Sequence, residues 1–204
     1  LEKLDSKSFL TSLALLWLIM LFLWRTSAPL LGDGLARIQG IRLVTLSDLG
    51  GQPAVLDSII HYIFYQLIKN YPDADFLSFA LLSYFAGFLY LILIFIFSRR
   101  FFSTGLEKVL WILILLSQGY IQLFAGYAEN YSFLPALVLF WIISVIGAEK
   151  GKTWPLILSQ ILLILFHLFF LLLLPATLYL LLVRPEKKNW LLAMILTISG
   201  AGLS

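Results

Sequence analysis

The sequence has no cysteine, only two histidines, and few charges: Asp, Glu, Lys and Arg together make up 12% of 204 residues. Without cysteine there are no disulfides and no thiolate metal sites. No His/Cys/Asp/Glu spacing forms a zinc site. A Walker loop, a nucleophile elbow and a Rossmann fingerprint are all missing, and Gly32, Gly34 and Gly40 do not form a dinucleotide motif. Scarce charge also argues against an ordinary soluble domain. Apolar residues reach 61%, the mean hydropathy is +0.98, and a soluble core of this size cannot hide so much apolar surface. The isoelectric point near 9.1 is no sign of nucleic acid, because the basic residues flank apolar segments, where membrane topology accounts for them.

The apolar residues fall in blocks of about 16 to 30, separated by short polar stretches. Only helices or closed barrels satisfy the backbone in lipid, and the short alternating segments of a barrel do not appear. The expected fold is therefore all-α, a polytopic transmembrane bundle of about six to seven membrane helices. Spans are expected over Phe9 to Trp24, Phe76 to Phe97, Val109 to Phe124 and Phe133 to Gly147. The first has no small-residue cleavage site after it, and Trp24-Arg25 reads as an interface rather than the end of a signal peptide. The run from Trp154 to Val183 is about 30 residues, longer than one span needs, and is interrupted by His167 and Pro175. A last apolar segment begins at Trp190. Residues 1–204 read as one transmembrane domain, the N-terminal piece of a longer protein.

Charge sets the expected orientation. With the N-terminus inside, the inner segments hold Lys3, Lys7, Arg99, Arg100, Lys108, Lys150, Lys152, Arg184, Lys187 and Lys188, and the outer ones hold Arg25, Arg37, Arg42 and Lys69. That asymmetry follows the positive-inside rule. Both ends of the long run are then inside, so it should be two short helices turning near His167. The expected location is a bacterial inner membrane with a cytoplasmic N-terminus.

Two polar segments then share the outer face, Arg25 to Asp75 and Ala125 to Ser132. In the first, Gly32-Asp33-Gly34 sets an acid between two residues of free backbone geometry. Arg37 and Arg42 follow. A carboxylate beside guanidinium groups suits a phosphate-bearing substrate: Arg binds phosphate bidentately, and the acid can take a proton or hold a metal. A solvated Gly-Asp-Gly turn is the plain alternative. Val55 to Lys69 has helical periodicity, with Val55, Leu56, Ile59, Ile60, Ile63, Phe64, Leu67 and Ile68 on one face and Asp57, Ser58, His61, Tyr62, Tyr65, Gln66 and Lys69 on the other. Such a helix is expected in the interface plane with a hydrated polar face. Asp57, His61 and Tyr65, one turn apart, are a candidate cluster.

In the second outer segment, Glu129 stands out, because a short turn between apolar helices needs no acid and ionisable groups at membrane depth are costly. Tyr127 and Asn130 flank it. Gln118 and Gln122 could line the same space from the preceding helix, or bond between helices. His167 is either a ligand-facing residue or a hydrogen-bonding group at a helix break.

This layout resembles the GT-C superfamily of membrane glycosyltransferases, which includes protein mannosyltransferases and aminoarabinose transferases. The features that carry the resemblance are Gly32-Asp33-Gly34 after the first span, the amphipathic helix Val55 to Lys69, the acid in Gly126-Tyr127-Ala128-Glu129-Asn130-Tyr131, and broken helices at Phe166-His167-Leu168 and Leu174-Pro175-Ala176. Gly51-Gln52-Pro53 stands where many members have a His-Pro-Pro-type stretch. The resemblance implies a polyprenyl-phosphate-linked sugar donor reached from the bilayer, and inverting transfer at the outer face. It casts Asp33 as the general base that deprotonates the acceptor hydroxyl and Glu129 as a second catalytic carboxylate holding the acceptor, and either could hold a divalent cation, Mg2+ or Mn2+. Arg37 and Arg42, with Arg25 behind them, would face the lipid phosphate. His61, Tyr127, Asn130 and His167 complete the expected substrate contacts.

The rival readings are a transporter or flippase of lipid-linked saccharides, a non-catalytic membrane scaffold, and another polyprenyl-dependent enzyme such as an O-antigen polymerase or ligase. A transporter places charges along a path through its spans. Here they avoid span centres, His167 excepted. A scaffold would leave Asp33 and Glu129 freely replaceable.

Overall fold

The structure, a computed structural model, describes residues 7–23, 25, 33–45, 48–49 and 53–183. Trp24, Gly32, Gly51, Gln52, Arg184, Lys187, Lys188 and the segment from Trp190 lie outside the described residues. Within them every regular element is helical. The α-helices are α1 (Lys7–Leu23), α2 (Gly34–Gly40), α3 (Val55–Ile68), α4 (Ala74–Phe101), α5 (Gly105–Leu116), α6 (Leu134–Glu149), α7 (Trp154–Phe166) and α8 (Leu174–Leu182), with 3-10 segments at Gly119–Phe124 and Leu168–Leu173. The all-α expectation holds for these residues. They gather into two compact units, Leu1–Thr45 with Ile60–Ala136, and Leu46–Ile59 with Leu137–Ser204.

In the first unit α4 is the centre, packed by α1, α2, α5 and the 3-10 segment Gly119–Phe124. Its buried side mixes small and polar residues with Phe79, Leu82, Tyr90, Leu91 and Ile94, and its other side is apolar too. Ser78, Ser83, Ala86, Gly87 and Ser98 are buried, while Leu81, Phe85, Phe88, Ile92 and Ile96 are exposed. The buried serines donate to carbonyls of their own helix, Ser78 Oγ to Asp75 O and Ser83 Oγ to Ala80 O. Small inward residues let neighbours approach: a Cβ on Gly87 would lie 2.8 Å from Phe124 Cβ. Trp17 of α1 meets the Phe124 ring edge-on at 6.1 Å.

At 28 residues, α4 is about 42 Å long at 1.5 Å per residue, enough to cross a hydrocarbon core of about 30 Å. Among the described residues it is the one helix long and apolar enough to cross a membrane; the other apolar helices run to 10–17 residues.

Two expected elements came out differently. The span drawn over Val109 to Phe124 ends as an α-helix at Leu116 and resumes as the 3-10 segment Gly119–Phe124. The freed carbonyls find partners: Ile114 O accepts from Ser117 Oγ and from Gln118 Nε2, and Leu115 O accepts from the Tyr90 and Tyr120 hydroxyls. Gln118 is therefore a C-terminal cap, and Gln118 and Gln122, both exposed, do not share one helix face. The second difference is α3. Its polar face was expected in water, yet Asp57 and His61 are 1% and 3% exposed, while Ile63 and Leu67 are 50% and 72% exposed. The two most buried side chains of α3 are polar and its most exposed ones are apolar.

In the second unit, the long run breaks at His167, which is extended at φ −165°. Gln160 and Thr177 are 17 residues apart and would be about 25 Å apart along one helix. They share a 2.8 Å hydrogen bond, so the run folds back into two short helices, the form expected for it. Ala148, Leu156, Ile157 and Leu181 form the apolar core here.

Candidate functional site

α2 begins at Gly34, with Asp33 as its N-cap residue. Asp at that position commonly bonds the first free N–H groups of the helix. Here the Asp33 carboxylate makes no capping bond and stands exposed to solvent. Its carbonyl instead accepts the Arg37 N–H at 2.9 Å, fixing the first turn. Ile38 of α2 and Ile41 just after it pack on Phe79 of α4 and on Ala128 of the Ala125 to Ser132 segment. That contact has a local consequence. It sets Glu129, the neighbour of Ala128, beside Arg37, the neighbour of Ile38.

The second segment is pinned to α4. Gly126 adopts φ +83°, a region that L side chains rarely occupy, and a Cβ there would lie 2.9 Å from the Tyr84 hydroxyl. The Gly126 N–H donates to Ser83 Oγ at 2.8 Å, and Ser132 Oγ donates to Leu123 O at 3.2 Å. A turn held at both ends carries Glu129 at 6% and Asn130 at 2% exposure.

Arg37 Nε lies 3.8 Å from Glu129 Oε2, ion-pair range but too long for a hydrogen bond. Arg37 Nε and Asn130 Oδ1 are buried with no hydrogen-bond partner. Burial pushes the Glu129 carboxyl above the ordinary carboxylate range; Arg37 and the backbone N–H groups of Asp33 and Asn130 oppose that shift, and the charge of Asp33 adds to it. Asp33, Arg37, Glu129 and Asn130 are thus one cluster, joining two segments nearly a hundred residues apart. It combines a solvent-facing carboxylate, a buried carboxyl that holds its proton more readily than usual, and a partly exposed cation. Such a set can move a proton and balance a negative charge.

The remaining expected contacts divide. Arg42 Nε donates to Asp75 Oδ2 at 2.9 Å, with a second nitrogen at 2.6 Å. Arg42 therefore ties the chain after α2 to the first turn of α4, where an acid is also favoured by the helix dipole. Asp75, named from sequence only as the end of the first polar segment, is its anchor. The His61 ring stacks at 4.5 Å on Phe79, which packs with Ile38, Ile41 and Ala128. Tyr127 is half-buried in the same turn, its carbonyl accepting the Glu129 N–H at 3.1 Å. Arg25 lies over the Phe22 ring at 4.7 Å. His167 belongs to the second unit. Its Nδ1 accepts the Phe169 N–H at 3.2 Å and caps the segment after the break, the structural role weighed for it from sequence.

No known protein family, curated protein or solved structure matches the chain. The site must therefore be judged on its own chemistry. Two carboxyl groups alone give a divalent ion few ligands, and among the described residues no group of three or more His, Asp or Glu is placed to hold one. Arg37 and two N–H groups already address Glu129. Sequence reasoning missed Ser83 and Tyr84, which seat the Glu129 turn. A serine and a tyrosine within an apolar helix give no signal of what they will touch.

Proposed function

We propose that the chain is the core of a multi-pass membrane glycosyltransferase resembling the GT-C superfamily, with its N-terminus on the cytoplasmic side. In this reading it moves a sugar from a polyprenyl-phosphate donor to a hydroxyl acceptor at the outer face. The convergence of Asp33, Arg37 and Glu129 from two separate outer segments is the observation that carries the reading. The exposed apolar residues of α3 and α4, with Asp57 and His61 of α3 turned inward, support its membrane setting.

The exposed Asp33 carboxylate takes the proton of the acceptor hydroxyl. The acceptor oxygen attacks the anomeric carbon as the bond from that carbon to the phosphate oxygen breaks. The electron pair leaves with the polyprenyl phosphate, and the charge developing there is met by Arg37. A single displacement inverts the anomeric centre. Glu129, buried and held by Arg37, positions the guanidinium and closes the site from below.

The test is consumption of labelled polyprenyl-phosphate sugars by the protein in membranes, beside Asp33→Asn. Transfer by the wild type and its loss in the variant support the reading. Equal transfer by both removes Asp33 from catalysis, and no consumption across the donor panel by either favours a scaffold, in which Arg37 and Glu129 serve only as a strut between segments.

A further inference from the structure

The turn from α4 to α5 concentrates charge and aromatic rings at one end of the longest apolar helix. Arg99 and Arg100 occupy the last turn of α4 and both are exposed. Lys108 follows one turn into α5. Phe97 meets Phe101 at 4.6 Å and Trp111 at 6.4 Å, Phe102 stacks on Trp111 at 5.1 Å, and the Arg100 guanidinium lies over Phe101 at 5.9 Å. The one acid in the turn is engaged locally. Glu107 accepts the Thr104 N–H at 3.1 Å while the Glu107 N–H donates to Thr104 Oγ1 at 3.3 Å. This capping box fixes the start of α5 and commits Glu107 to the backbone beside the exposed Arg99 and Arg100.

We propose that this turn is a docking surface for acidic phospholipid headgroups. Charge complementarity selects an anion. The flanks select a lipid over a soluble phosphate: the basic turn runs directly into exposed apolar residues on both helices, Ile92 and Ile96 of α4 and Leu106 and Leu110 of α5. A headgroup at Arg99 and Arg100 would lay its acyl chains along those residues. Trp111, 39% exposed, sits where amphipathic rings collect at a membrane interface. The inference rests on the reading that α4 crosses a bilayer and is independent of the glycosyl-transfer chemistry.

The experiment places the whole protein in vesicles containing brominated phosphatidylcholine or brominated phosphatidylglycerol. The part of the tryptophan quenching lost in Trp111→Phe reports on this turn. Stronger quenching by the acidic lipid is expected, falling by about fivefold in preference for each cation removed, from about 1 kcal/mol per basic residue near a charged surface. Arg99→Gln with Arg100→Gln loses the preference, Arg99→Lys with Arg100→Lys keeps it, and added salt weakens it. Equal quenching by the two lipids in the wild type, or a preference unmoved by the Gln pair, overturns the proposal. Trp111 quenched by neither lipid overturns the membrane placement of α4 as well, so the two failures are told apart.

Discussion

Two polar clusters in this chain differ in kind. In the second unit, Trp141 Nε1 donates to Thr177 Oγ1, Thr177 Oγ1 donates to Gln160 Oε1, and Gln160 Nε2 donates to the Phe170 carbonyl. Every group there is neutral, and donors and acceptors are matched along the relay. The Asp33, Arg37, Glu129 and Asn130 cluster in the first unit carries charges of both signs and leaves two buried polar atoms unmatched. Matched neutral networks fix a fold, because each member would be costly to leave alone. Clusters with a shifted acid and unsatisfied atoms suit chemistry better than stability. The first cluster holds a broken helix together, and the second is the candidate site.

The largest expected effect tests the second half of that contrast. Asp33→Asn lowers sugar transfer by about 10²- to 10⁴-fold, the usual contribution of a positioned general base. It leaves the melting temperature unchanged, because the Asp33 side chain is exposed and makes no capping bond. Kinetics and thermal unfolding of the same preparations check both parts.

The neutral relay should behave in the opposite way. Gln160→Leu strands Thr177 and the Phe170 carbonyl and costs about 2 kcal/mol of stability, within the range for buried groups left unsatisfied. Detergent-resistant folding measured by thermal unfolding would show it, and the transfer rate of the surviving folded fraction would be unchanged. A Gln160→Leu protein as stable as the wild type would mean the relay does not hold the helix break.

Gly126→Ala tests the seat of Glu129. The strained φ and the contact with Tyr84 together cost about 1 to 2 kcal/mol. Unlike Gln160→Leu, this variant should lose transfer along with stability, since the turn that moves carries Glu129.

The smallest effect is one of slope. The folded state holds the Glu129 proton more tightly than the unfolded chain does. Stability contributed by the protonated form is fully present below the unfolded value and is lost as pH rises through the raised folded value. Thermal melts over the acidic range should therefore show a fall in stability with rising pH that is flattened in Glu129→Gln. An identical slope in both proteins would place the titration elsewhere.

What the sequence determined by itself was set by local chemistry. The apolar blocks are helical among the described residues, as their length and composition led one to expect, and the Trp154 to Val183 run breaks at His167, where the sequence placed its turn. The candidate acids were also legible, because Asp33 and Glu129 stand out against an almost uncharged background. The tertiary structure decided which residues meet. Arg37 and Arg42 are equivalent on paper, yet packing of Ile38 and Ile41 on Phe79 and Ala128 sends one to Glu129 and leaves the other on Asp75. The direction of α3 was likewise beyond sequence. A helical period reports that two faces differ, while the environment on each side determines which one turns inward. Here Asp57 and His61 turn in, and Ile63 and Leu67 face out.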